Sequence, residues 1–333
     1  TLKKKGYDVF FLKKFKVIRF FIKHPILLCA RISNRINSKR SAAFFTPVSY
    51  EITSKRKKRI EEFNKKNFHT ITIENSKDWS RTIDEQMIFV AGSDIIWNPA
   101  RGYPTKYFLD FAYYAGLKRF SYASSIGELS LPDKYYNAYR RYIGTMKAIG
   151  VREQSVVDLL SPIINRDVVR VMDPSLLLNR VEWDKYADEA VLSVKASLNG
   201  YVFCYFVMED SRYWEYVKKI KECTGLQIIV LPMHFSDEHQ PYEIIYDGTA
   251  CEFLWLIKNA TFICTDSFHA CAFSLQYQKE FYLLKRKRKS EDAKYDDFLT
   301  RYKMIDRRIE DESKFIRNQD IDYSEAIRQL EKD

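Results

Sequence analysis

The sequence lacks the short motifs that commonly announce a reaction. It has no Gly-x-x-x-x-Gly-Lys loop and no Gly-x-Gly-x-x-Gly turn. Neither a P-loop nor a dinucleotide fingerprint is therefore present, which counts against a nucleotide hydrolase and a standard dehydrogenase. It also has no Gly-x-Ser-x-Gly elbow, which counts against a serine esterase. Cysteine is sparse at six residues, and none forms a Cys-x-x-Cys pair. Several cysteines sit in apolar runs, where a free thiol packs as a small hydrophobe, so a reduced, cytoplasmic protein is expected. There are five histidines, and only His234 and His239 are close together, with no further ligand at zinc-like spacing. No metal is expected. Nor is there a run long and apolar enough to span a bilayer, which takes about 20 residues. The nearest approach, residues 10–30, is interrupted by Lys13, Lys14, Lys16, Arg19 and Lys23.

What the sequence does have is length and positive charge. Its 333 residues exceed what one core usually organises, so two domains are expected. The formal charge of +11 is clustered at Lys3–Lys5, Lys13–Lys23, Arg31–Arg40, Lys55–Lys66 and Lys285–Lys289. Such clusters admit nucleic acid, a membrane face or a phosphorylated substrate as partner. No nucleic-acid-binding module accompanies them, so nucleic acid is not expected. In the basic, aromatic segment 10–40, Phe11, Phe15, Ile18 and Ile22 share one helical face. This predicts a helix docked on its own domain, or one lying at a membrane surface as a peripheral contact.

From residue 87 the chain alternates apolar runs with helical patterns. Strands are expected at 87–94, 119–127, 147–152, 168–178, 201–207, 226–233, 261–267 and 280–286, and a short one at 7–12 after Gly6. Helices are expected at 54–68, 152–160, 182–198, 212–225, 251–260, 268–278 and through much of 295–333. This rhythm predicts an α/β fold of two doubly wound, Rossmann-like domains. The expected boundaries are 1–190, 191–310 and a C-terminal helix over 311–333. Ligands of such sheets bind beyond the carboxyl ends of the strands, and with two sheets a cleft between domains is the expected site.

Three strand ends carry chemistry. Thr265-Asp266-Ser267-Phe268-His269 follows an apolar strand and opens a helix. Asp266 or Ser267 suits the capping position, the helix start favours an anion, and His269 is a candidate general acid. Packing against a neighbouring helix is the competing reading of His269. Gly92-Ser93-Asp94, followed by Trp97-Asn98, offers Asp94 to a sugar hydroxyl or as a base; a capping turn with a buried tryptophan is the alternative. Val151-Arg152-Glu153 offers an arginine that grips a carboxylate or phosphate through two hydrogen bonds, or else pairs with a nearby acid. Lys285 and Arg286 add cations at the last strand end, unless they belong to a solvated basic run.

These signals, in this order, resemble the polysaccharide pyruvyltransferase family. The matching stretches include FVAGSDIIWNP (89–99), SYASSIG (121–127), VREQSVVDLL (151–160), VMDPSLLL (171–178) and TDSFHACAFS (265–274). The resemblance implies an architecture like glycosyltransferase B, phosphoenolpyruvate as donor without any other cofactor, and a pyruvate ketal on a sugar of a capsule, exopolysaccharide or other surface glycan. It implies His269 and Asp94 as catalytic residues, and Arg152, Ser267, Lys285, Arg286 and Lys294 on the donor. Ser93, Asp94, Trp97 and Asn98 would face the acceptor, which is either lipid-linked or free. Ser267, Ala270 and Asp292-Ala293-Lys294 depart from the family pattern. The family's first strand would lie upstream of residue 1, so a truncated member is expected. A nucleotide-sugar glycosyltransferase and a non-catalytic glycan- or membrane-associated protein remain the rival readings.

Overall fold

A computed structural model describes residues 11–15, 50–73, 81–99, 105–192, 200–286, 289–310 and 321–333. The chain divides into two compact units, Thr1–Phe44 with Phe68–Asp173, and Phe45–Asn67 with Pro174–Asp333. The division falls at Asp173 rather than at residue 190, and it gives the basic helix Tyr50–Asn67 to the second unit. The cause lies in two arginines of that helix. Arg56 donates to the backbone carbonyls of Pro232 and Ile245, and Arg59 reaches the carbonyl of Asp247 and the carboxylate of Glu252. Helix Arg180–Ala187 follows for a similar reason, since it packs on helix Ala250–Asn259.

In the first unit, strands β1 (Phe11–Phe15) and β2 (Thr70–Ile73) form a parallel pair, with Phe11 opposite Thr70. The helical face predicted through Phe11 and Phe15 is thus corrected to a strand at its start. The rest of the segment 10–40 lies outside the described residues. Four further parallel strands, β3 (Ile88–Ala91), β4 (Lys118–Ser124), β5 (Ala148–Val151) and β6 (Val169–Arg170), lie side by side in chain order. β4 shifts register against β5 between Ser121 and Ser124, and Ala123 takes the left-handed conformation there. The core holds Trp97, Phe108, Tyr139, Ile143, Val151 and Leu160. Gly92 ends β3 where a Cβ would meet the Tyr122 carbonyl oxygen at 2.5 Å, so only glycine lets β3 and β4 approach this closely.

The second unit holds six parallel strands: β7 (Tyr201–Tyr205), β8 (Gln227–Val230), β9 (Glu243–Ile244), β10 (Phe262–Thr265), β11 (Glu280–Leu284) and β12 (Arg308–Ile309). Their order across the sheet is β12-β11-β10-β7-β8-β9. β10 is buried at every position, as a strand covered by helices on both faces must be. Helix Arg212–Thr224 stops at Gly225, whose φ of 66° is a conformation glycine adopts without cost. Within the unit's own strand sequence the order is the doubly wound one, reversing between β7 and β10. Ligands of such sheets bind outside the carboxyl ends at that reversal. Both units therefore have the expected α/β architecture of parallel sheets.

Candidate functional site

In the second unit, the strand-end motif falls beside the reversal. Thr265 closes β10 and donates its hydroxyl to the Tyr205 carbonyl on β7, while its oxygen accepts the Ser267 N–H. Ser267, not Asp266, caps helix Phe268–Gln276: its side chain accepts the Ala270 N–H at 3.3 Å. His269 stands in the first turn of that helix and is exposed to solvent, with its ring edge-on to Phe268.

Asp266 turns inward and is fully buried. One carboxylate oxygen accepts the Val207 N–H at 2.5 Å, and the other accepts the Met208 N–H at 3.0 Å. Arg286 pairs with the second oxygen at 3.1 Å and donates to the Asp266 carbonyl. Burial pushes the Asp266 carboxyl up from its ordinary range, while Arg286 and the two backbone N–H groups pull against that rise. On the far side of the same loop, His234 is buried with Nε2 3.0 Å from the Val207 carbonyl. The ring nitrogen must carry its proton there, because a carbonyl only accepts.

In the first unit, the carboxyl ends of β3, β5 and β6 converge on Arg152. Its guanidinium donates to Asp94 at 2.5 Å, to Glu153 at 2.8 Å and to Asp173 at 2.9 Å. Ser125, just past β4, donates to the same Glu153 oxygen. Burial disfavours the charge on Arg152, and Glu153, Asp94 and Asp173 outweigh it, holding the group above its ordinary range. The other Glu153 oxygen is buried with no hydrogen-bond partner. Beside this cluster Ile95 adopts φ 44°, a strained conformation for a β-branched residue.

The fold thus distributes the predicted residues unevenly. Arg152 is engaged by three carboxylates, Arg286 by Asp266 and Lys285 by Glu310. Lys294 is buried with its ammonium 5.2 Å from the Tyr295 ring centre. Trp97, expected against the acceptor, is instead fully buried in the core, donating its indole N–H to Tyr107 and accepting at its carbonyl from Tyr139. Asn98 is buried and donates weakly to Glu128 at 3.4 Å. Ser93 is exposed and Asp94 partly so. Sequence reasoning passed over Asp173 and the inward role of Asp266. A strand-end acid following a fully apolar strand was the available signal for Asp266. For Asp173 the signal was its place past an apolar strand in VMDPSLLL, although nothing local named Arg152 as its partner. Among the described residues no group of three or more His, Cys, Asp or Glu is placed to hold a metal ion. No described helix is long and apolar enough to cross a membrane.

With this geometry in view, the comparisons with known proteins are specific at the level of family. The profile of the polysaccharide pyruvyl transferase family matches residues 7–288. No curated protein matches the chain. Among solved structures, the chain is similar to a co-structure of S. aureus MnaA with UDP, at 13% identity and a TM-score of 0.41, covering 76% of this chain and 67% of that one. It is also similar to the UDP-GlcNAc 2-epimerase of Neisseria meningitidis bound to UDP-GlcNAc, at 10% identity and a TM-score of 0.42, covering 97% and 99%.

Proposed function

The chain belongs to the polysaccharide pyruvyl transferase family, and we propose that it moves a pyruvyl group from phosphoenolpyruvate to a pair of hydroxyls on a sugar. The observation that carries this reading is His269: a solvent-exposed imidazole in the first turn of a Ser267-capped helix, at the carboxyl end of β10. Imidazole exchanges a proton near neutral pH, and a helix start favours an anion. In the proposed reaction His269 donates a proton to the methylene carbon of phosphoenolpyruvate, leaving positive charge on the adjacent carbon. A sugar hydroxyl adds there and loses its proton, the carbon–oxygen bond to phosphate breaks with phosphate keeping the bridging oxygen and its electron pair, and a second hydroxyl closes the ketal and loses its proton. Phosphate and carboxylate need donors held in place before the charge develops.

The structure alters the division of labour expected of the cations. Arg152 and Arg286 are committed to buried carboxylates, so we assign them support of the strand ends rather than direct grip on the donor. The acceptor role stays with exposed Ser93 and partly exposed Asp94, whose carboxylate is oriented by Arg152. Calorimetric titration of phosphoenolpyruvate into the intact chain tests the donor. Saturable binding is expected, and its absence at millimolar ligand overturns the reading.

A further inference from the structure

The second sheet has the strand order that elsewhere binds nucleotides, yet its two nucleotide-reading positions are turned inward. In a doubly wound domain of this order, the loop after the first strand cradles a phosphate on its backbone N–H groups, with glycines allowing the approach. An acid near the end of the second strand holds the ribose. Here the loop after β7 reads Phe206-Val207-Met208-Glu209-Asp210 and has no glycine. The Val207 and Met208 N–H groups go to the two oxygens of Asp266, which crosses from β10 on the other side of the reversal. The Val207 carbonyl is held from the β8 side by His234. Beyond β8 the nearest acid is Asp237, which is buried, with one carboxylate oxygen accepting the N–H groups of Met233 at 2.9 Å and His234 at 3.0 Å.

We propose that Asp266 is a specificity-determining residue whose carboxylate occupies the backbone donors a nucleotide phosphate would need, so that the unit refuses nucleoside diphosphates. This refusal of nucleotides does not rest on the phosphoenolpyruvate reading above. The physical basis is twofold. A phosphate arriving at the reversal meets N–H groups already satisfied, and it meets a buried acid whose negative form repels it. Arg286, paired with the same carboxylate, offsets part of that repulsion, so the occupied N–H groups carry most of the refusal.

Uridine diphosphate and phosphoenolpyruvate, titrated separately into the intact wild-type chain and into Asp266→Asn, provide the test, together with hydrogen exchange at the Val207 and Met208 amides. In wild type, uridine diphosphate is expected to give no saturable heat at millimolar concentration and to leave both amides unchanged. Asp266→Asn removes a charge and one acceptor, and affinity for uridine diphosphate is expected to rise by at least about tenfold. Wild-type binding below about 100 µM with protection of those amides overturns the proposal. So does a folded Asp266→Asn whose affinity is no better than that of wild type. Should that variant fail to fold, the wild-type exchange measurement decides alone. If phosphoenolpyruvate also fails to bind while uridine diphosphate is refused, the donor reading falls and the role of Asp266 stands.

Discussion

Each unit has a buried charge cluster at the carboxyl ends of its parallel strands, centred on Arg152 in one and Asp266 in the other, and the two are built oppositely. In the first unit a cation, Arg152, is enclosed by three carboxylates from separate strand ends. In the second an anion, Asp266, is enclosed by two backbone N–H groups, Arg286 and, at 3.5 Å, the Tyr213 hydroxyl. The first arrangement depends wholly on side chains of opposite charge, so removing its centre leaves several like charges together. The second draws much of its compensation from the backbone, which no substitution removes. Strand ends are where function is expected in these folds, and here they also carry the ion pairs that hold each end in shape.

The largest expected effect follows directly. Arg152→Ala leaves Glu153 and Asp173 buried without their counter-ion, and we expect a loss of about 3–5 kcal/mol, the usual result of breaking a buried pair from one side. Arg286→Ala leaves Asp266 its two N–H donors, so a smaller loss of about 1.5–3 kcal/mol is expected. Urea unfolding of both variants, with hydrogen exchange to separate the two units, measures the difference. Equal losses would break the comparison, because they would mean that backbone donors contribute little at Asp266.

How much of this was legible beforehand depended on whether the cause was local. β7 and β10 are continuous apolar runs, and the stop at Gly225 and the cap at Ser267 are short-range chemistry, so these elements were readable. β9 and β12 are two residues each, with no run to betray them; they exist because an existing sheet offers an edge. The assignment of helix Tyr50–Asn67 to the second unit depends on Arg56 and Arg59 reaching carbonyls more than a hundred residues away. At the sites, the residue types were visible but their partners were not. Arg152 and Asp94 are 58 residues apart, and nothing in either motif says that one answers the other. The same holds for Trp97, whose role changes from ligand contact to core once Tyr107 and Tyr139 close over it.

A third buried charge sharpens the comparison at intermediate size. Glu252 accepts from Arg59 at 2.5 Å, from the Val191 N–H, and from both the N–H and hydroxyl of Thr249, forming the capping box of helix Ala250–Asn259. Burial would raise its pKa, but Thr249, Val191 and Arg59 together bring it below the ordinary 4.5. A carboxyl depressed on folding adds stability that is fully present above its unfolded pKa and is lost as pH falls through the folded one. Glu252→Gln should therefore be less stable than wild type by about 1–2 kcal/mol at neutral pH, with the gap closing as pH drops below 4.5. Thermal melts between pH 7 and about pH 3 measure it. A gap that stays constant with pH would mean that the hydrogen-bonding shape, not the charge, matters at this cap.

The smallest expected effect on stability belongs to the residue given the largest role in chemistry. His269 is exposed, and the capping of its helix is done by Ser267. His269→Ala should change stability by no more than about 0.5 kcal/mol, as is usual for surface positions. If His269 is the proton donor, the same change should lower turnover by about 10²–10⁴-fold, the usual contribution of a positioned general acid. Phosphoenolpyruvate affinity should fall much less, because the proton is transferred in the reaction and not in binding. This separation distinguishes an acid from one more strand-end support such as Arg152 or Arg286, whose loss should lower stability and activity together. A His269→Ala chain that melts several degrees early would place His269 with those supports, and the proton would have to come from another group.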